Sequence, residues 1–168
     1  MSSNSAAEMN KTDVLHCIIE RLGIDLDTLQ RAAQTAYETA TAEENIAENK
    51  YDTLSLEASY LATGQARRME EIRQARAAYQ QLTLRDYDPE RGIQISNLVT
   101  LEDPQGACQQ VFLGPEAAGL KITAGDDLIT VITPRSPLGQ SLIGRLEGDE
   151  INLMLGNNRQ VYEVTQVR

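Results

Sequence analysis

Apolar positions recur at helical spacing through the first half of the chain and at strand spacing through the second. Val14, Ile18 and Leu22 share one helical face, and Gly23 follows as a C-cap candidate, so a first helix is expected over Thr12 to Leu22. Ile24-Asp25-Leu26-Asp27 then predicts a restart, with an aspartate at the positive helix end. From Leu26 the small or apolar positions are Leu29, Ala33, Ala36 and Ala40, spaced alternately by three and four. That is a heptad seam. It breaks at Glu43-Glu44-Asn45-Ile46-Ala47-Glu48-Asn49 and resumes at Tyr51, Leu54, Ala58, Leu61, Ile72, Ala75, Tyr79 and Leu82. Between Leu61 and Ile72 it passes through Gln65 and Arg68, with Met69 as the apolar substitute. Two such arms joined by a few polar residues predict an antiparallel α-helical coiled-coil hairpin with its tip near 44–49. A compact helical layer packed across the C-terminal half is the alternative.

After Asp88-Pro89-Glu90-Arg91-Gly92 the pattern becomes short apolar runs between Gly, Pro, Asn and Asp. Strands are expected at Ile93 to Ile95, Leu98 to Leu101, Ala107 to Leu113 and Leu128 to Thr133. Glu150 to Leu155 and Arg159 to Val167 flank Gly156-Asn157-Asn158 as a hairpin. Between them, Ser136 as N-cap and Pro137 at the first helical position predict a short helix from Pro137 to Ile143, with Leu138, Leu142 and Ile143 facing a sheet. The expected fold class is therefore α+β: a tail over 1–10 read as disordered, a helical domain over 11–88, and a small antiparallel β-sheet domain with one short helix over 89–168.

Composition narrows the function. With Lys+Arg 15 against Asp+Glu 25, the chain has a net charge of -10. An acidic chain lacks the clustered cations that neutralise phosphates, so contact with nucleic acid is expected only through a partner. Residues 1–90 carry sixteen acids and nine bases, so most of the excess lies in the helical half. Cys17 and Cys108 form no CxxC motif, His16 is the only imidazole, and Met1 to Asn10 contains no leader-like apolar run. Both thiols are expected as small buried hydrophobes in a cytoplasmic protein that does not span a membrane. Phosphate-loop, nucleophile-elbow and zincin motifs do not occur, which argues against an independent enzyme.

Two segments could carry function. The acids Glu43, Glu44, Glu48 and Asp52 crowd the predicted tip, where carboxylates could help hold Mg²⁺ or serve only as a solvated turn. The second is Thr133-Pro134-Arg135-Ser136-Pro137-Leu138-Gly139-Gln140-Ser141-Leu142-Ile143-Gly144. A sheet-capping helix accounts for its apolar residues. Pro134, Arg135 and Gly139 are expected at an exposed edge, as a docking surface for a partner.

Ser136-Pro137-Leu138, Ser141-Leu142-Ile143-Gly144-Arg145 and Glu147-Gly148-Asp149-Glu150-Ile151 resemble the C-terminal signature of the Gre transcript cleavage factors. Glu48-Asn49, Glu57, Gly64 and Arg68 resemble the same family around its tip, and the resemblance covers most of the chain from about Asp25. It implies an FKBP-like C-terminal domain docking at the rim of the RNA polymerase secondary channel through residues 134–139. It also implies a coiled coil that reaches the active centre. Tip acids would share a Mg²⁺ with the polymerase, which supplies the catalytic site, and the protein would hold no cofactor of its own. Where the family tip commonly reads Gly-Asp-Leu-x-Glu-Asn, this chain has Glu44-Asn45-Ile46-Ala47-Glu48-Asn49. Glu48 matches, whereas Asn45 stands in place of the aspartate. The resemblance thus leaves two versions open, a factor that stimulates RNA cleavage and a cleavage-inactive occupant of the channel. A monomer is expected. The alternatives are a peptidyl-prolyl isomerase, disfavoured by an aromatic content of 4%, and a coiled-coil adaptor or homodimer.

Overall fold

The computed structural model describes residues 10–44 and 51–168, and the side chains of residues 40–63 and of Ala124 lie outside that description. The fold is α+β. Helices α1 (Lys11–Glu44) and α2 (Tyr51–Gln80) precede strands β1 (Leu98–Glu102), β2 (Cys108–Leu113), β3 (Lys121–Ala124) and β4 (Asp127–Ile132). Helix α3 (Pro137–Leu142) and the hairpin β5 (Glu150–Leu155) and β6 (Asn158–Val167) complete the chain. The chain divides into two compact units, one formed by 1–19 and 78–168 and the other by 20–77.

In the helical unit the expected break at Gly23 does not occur, and α1 runs through it. One interior glycine costs only about 1 kcal/mol relative to alanine. The i,i+4 ion pairs Arg21–Asp25 (3.3 Å) and Asp27–Arg31 (3.0 Å) span the region where the restart was expected. A Cβ at Gly23 would sit in ordinary van der Waals contact with the Arg76 guanidinium, 3.5 Å from its central carbon, so packing does not require a glycine here. Leu22, Ile72 and Ala75 are buried, while Leu26, Leu29, Ala33, Gln65 and Met69 are half-buried. Arg68 and Ala36, both placed on the seam by the sequence, are exposed. The seam positions Ala40, Tyr51, Leu54, Ala58 and Leu61 fall outside the described side chains. The tail over 1–9 is likewise outside the described residues.

In the other unit, Asn10 caps α1 by accepting the Asp13 N–H at 2.8 Å. The sheet has the order β3-β4-β2-β1-β6-β5. It is mixed, not antiparallel as expected, because β2 and β4 run parallel. The antiparallel β3, which the sequence pattern did not single out, folds back onto β4 and lets the chain return in the same direction as β2. Val99, Leu101, Val111, Leu113, Ile132, Ile151, Val164 and Val167 form one buried cluster with Leu142 of α3. On alternate positions Leu98, Phe112 and Val131 form a second buried row across three strands. The same unit buries Val14, Ile18 and Tyr79 from the helices. Each fully buried aliphatic or aromatic side chain contributes about 1.5–3 kcal/mol.

Three further expectations change. Ile93 to Ile95 is a turn region and not a strand. The expected hairpin strand from Arg159 to Val167, in which Val161, Glu163 and Thr165 alternate with Tyr162, Val164 and Gln166, is broken by a bulge: Thr100 pairs with Gln166 but Leu101 pairs with Val164. Thr165 is the extra residue, its hydroxyl donating to the Thr100 carbonyl at 3.2 Å. Val164 and Val167 can thus both be buried though three apart. The thiols are not buried: Cys17 is half-buried and Cys108 exposed.

Two buried polar residues organise the turn before β1. Ser96 and Asn97 are fully buried. Ser96 Oγ accepts the Arg85 N–H at 2.8 Å, and Asn97 Nδ2 donates to the Arg85 carbonyl at 3.2 Å. Lys11 Nζ donates to the same carbonyl. Burial holds the Lys11 pKa below its usual value, against the pull of Asp86 and with the help of Arg168. Ser96 N–H donates to Leu113 O at 2.7 Å, and Leu113 N–H to Asn97 O at 3.0 Å.

Tyr79 anchors the end of α2. Its hydroxyl donates to the Glu116 carbonyl at 2.6 Å, and Gly114 leaves the space its ring and hydroxyl occupy. Gly114→Ala places a methyl group on that hydroxyl and is expected to cost about 1–3 kcal/mol in chemical denaturation. Burial raises the Tyr79 pKa above 10.0. A raised folded-state value means that this stability is complete below the unfolded value and is lost as pH climbs above it. Denaturation midpoints should therefore fall as pH rises beyond 10.0, and fall less in Tyr79→Phe, which loses about 1 kcal/mol at neutral pH. An identical alkaline slope in both proteins would contradict the assignment.

Candidate functional site

The segment from Thr133 to Gly144 is a turn feeding a one-and-a-half-turn helix. Ser136 has extended dihedrals (φ -75, ψ 153), accepts the Gly139 N–H and precedes Pro137 at the first helical position. Its hydroxyl donates to the Thr133 carbonyl at 2.7 Å, and its N–H donates to the same oxygen at 3.0 Å. Gly139 is buried, not on the exposed edge where the sequence placed it, because that carbonyl occupies the volume a Cβ would need. Leu142 is buried and Leu138 packs half-buried against the core. Ile143, expected to face the sheet, points outward with 44% of its surface exposed. The helix ends one residue earlier than expected, and Ile143 has left the helical conformation (ψ 127).

Arg135 and Pro137 are exposed, with Pro134 and Ser136 half-buried. Arg135 pairs with Glu116 at 2.9 Å. That ties the outer side of the turn to the segment whose backbone holds Tyr79. Past α3 the chain turns at Gly144 (φ 78) and Gly148 (φ 90), backbone conformations that favour glycine. Asp149 closes the second turn by accepting the Leu146 N–H at 2.9 Å.

Beside this segment lies a cleft of about 630 Å³, lined by Ala78, Gln81, Leu82 and Thr83 from the end of α2 and the residues after it. Arg85, Arg91, Ile93, Gln94, Ile95, Pro115, Ile143 and Gly144 complete its wall. Gly144 N–H donates to Ile93 O and Ile93 N–H to Arg145 O, both at 2.9 Å, so the two walls are stapled by backbone bonds. Gly92 (φ 77) sits directly on the Gly144 backbone and leaves no room for a Cβ.

No family model matches the chain, and no curated protein matches it. Solved structures share a distant likeness with it. The structure of the transcription factor Gfh1 is 19% identical, covers 90% of this chain and 94% of that one, and superposes with a TM-score of 0.40. GreA factor homolog 1 (Gfh1) of Thermus thermophilus gives 18% identity, 89% and 94% coverage, and 0.38. The prokaryotic transcription elongation factor GreA/GreB from Nitrosomonas europaea gives 17%, 57% and 77%, and 0.33.

The second sequence candidate is only partly described. Glu44 is the last residue of α1, and its side chain lies outside the described set; Asn45 and Glu48 fall outside the described residues. No group of three or more His, Cys, Asp or Glu able to hold a metal occurs among the described residues, and none of the described helices is long and apolar enough to cross a membrane.

Sequence reasoning missed the cleft. Ile93 to Ile95 read as a strand and Ile143 as a core position, so neither marked an open surface. The signal available was the polar pair Ser96-Asn97 interrupting two apolar runs, which points to a turn. Ser136→Ala is expected to cost about 1 kcal/mol by removing the cap, and Gly139→Ala about 1–3 kcal/mol by forcing the turn open. Because both act on the Thr133 carbonyl, the double variant should cost less than the two losses combined, as a double-mutant cycle would measure.

Proposed function

We propose that this chain is a Gre-like regulator of transcription elongation that binds RNA polymerase at its secondary channel and does not form an enzyme of its own. The observation that carries the reading is the segment Ser136 to Ile151, whose residues resemble the Gre signature and here build one tight turn-and-helix unit. Ser136 caps, Pro137 opens the helix, Gly139 fits under Thr133 O, and Gly144 and Gly148 turn the chain into β5. In this reading the 89–168 region is an FKBP-like domain that docks at the channel rim through Pro134, Arg135 and Pro137. The helices flanking 45–50 form an antiparallel coiled coil whose tip enters the channel. The polymerase holds the nucleic acid and the catalytic Mg²⁺.

Asn45 in the place of the family aspartate favours the version that occupies the channel with weak or absent cleavage, since an amide is a poorer ligand for a hard cation than a carboxylate. An isomerase reading gains nothing from the site. Phe112 is fully buried, and no aromatic side chain among the described residues lines the cleft.

The test is direct binding of the full chain to core RNA polymerase. Arg135→Glu should weaken binding about tenfold while changing folding stability by no more than about 1 kcal/mol, the usual scale of an exposed ion pair. Absence of binding by the wild-type protein overturns the reading. On backtracked complexes, cleavage that disappears in Glu48→Ala supports metal assistance, and wild-type protein that binds without cleaving supports the channel-occupying version.

A further inference from the structure

The cleft beside α3 has a chemistry that neither folding nor the docking turn uses. Its outer walls present Ile95, 37% exposed, and Ile143, 44% exposed, although aliphatic side chains of this size gain by burial. Among the described residues two charged side chains line it, and both are arginines, Arg85 and Arg91, in a chain of net charge -10. The Arg85 guanidinium has no carboxylate partner among the described residues, its backbone alone being held by Ser96 and Asn97. Arg91 has only a long, exposed contact with Asp88 at 3.8 Å. The walls are fixed by the backbone bonds between Ile93 and the Gly144-Arg145 peptide, so an occupant would not have to order them.

We propose that this cleft binds a short segment of a partner protein in which an aliphatic side chain is followed closely by carboxylates. The aliphatic group covers Ile95 and Ile143, and the carboxylates meet Arg85 and Arg91. Each half of the site selects for one half of the segment. A purely apolar segment leaves the arginine forks unmatched, and a purely acidic one leaves the isoleucines wet. A volume of about 630 Å³ accommodates one large side chain with its neighbours. The proposal goes beyond the polymerase reading and does not depend on it, because its test contains no polymerase.

The experiment titrates the isotopically labelled full chain with three capped hexapeptides and follows backbone amide shifts. The peptides are Ser-Leu-Leu-Glu-Glu-Ser, the same sequence with Lys for Glu, and the same sequence with Ser for Leu. The Leu-Glu peptide is expected to shift Gln94, Ile95 and Gly144 at least about tenfold more tightly than the other two. Arg85→Glu and Ile143→Asp are each expected to weaken it about tenfold. Lys121→Glu, on β3 and away from the cleft, should leave binding unchanged. Both cleft substitutions alter exposed side chains, and unchanged amide shifts in the β-sheet would verify that the fold is kept. Failure of the Leu-Glu peptide to bind overturns the proposal. Equal binding of the Leu-Lys peptide would reduce the cleft to a nonselective apolar surface, and equal binding of the Ser-Glu peptide would reduce it to an anion site. Shifts of the cleft amides with protein concentration alone would make the occupant a second copy of the chain.

Discussion

The anchoring of one backbone position, Arg85, sets the geometry of the sheet-bearing unit. Its N–H and carbonyl are taken by the buried Ser96 and Asn97, and Lys11 adds a second donor to the carbonyl. The connection after α2 and the turn before β1 therefore meet the distant start of α1 at one peptide. Leaving such buried polar groups unpaired costs about 1–3 kcal/mol each, so none of these stretches can shift alone without penalty. Ser96 accepts a left-handed backbone (φ 83) to make the arrangement close, a strain tolerated because its hydrogen bonds leave little alternative. The turn so fixed presents Ile95 to the cleft and delivers the chain into Leu98 at the start of the core.

The segment that resembles a known signature mixes two kinds of residue. Ser136, Gly139 and Leu142 are occupied with building a tight turn under the sheet, and replacing any of them damages the fold first. Arg135, Pro137 and Ile143 project from the same frame and contribute little to it. The motif is a rigid mount, and the residues that could recognise a partner are those it leaves exposed. Reading the whole motif as a contact surface would assign Gly139 the wrong role, since its value lies in what it allows Thr133 to do.

Much of the fold was legible because it depends on local rules. Period-two apolar patterning located β1, β2, β4 and the closing hairpin, and the Ser-Pro pair located the start of α3. What escaped depends on long-range contact. The continuity of α1 through Gly23 reflects the absence of anything that would end the helix there, together with the ion pairs that bridge the following turns. The parallel pairing of β2 with β4 follows from a short β3 whose four residues carry little pattern of their own. The bulge at Thr165 shifts the inward face of β6 midway, which no strict alternation can express. At the candidate site, the sequence located the turn and the exposed Arg135 but misassigned Gly139 and Ile143, because burial in a six-residue helix is decided by what lies beneath it.

The division of the chain has a consequence for how the protein is made. One compact unit is discontinuous, with residues 1–19 at one end and 78–168 at the other, so the helical stretch between them is an insertion. Val14 and Ile18 emerge during synthesis well before residues 78–168 of the same unit, in which Arg168, directly after β6, exchanges both backbone hydrogen bonds with Leu98. This apolar face thus waits for partners made much later in the chain.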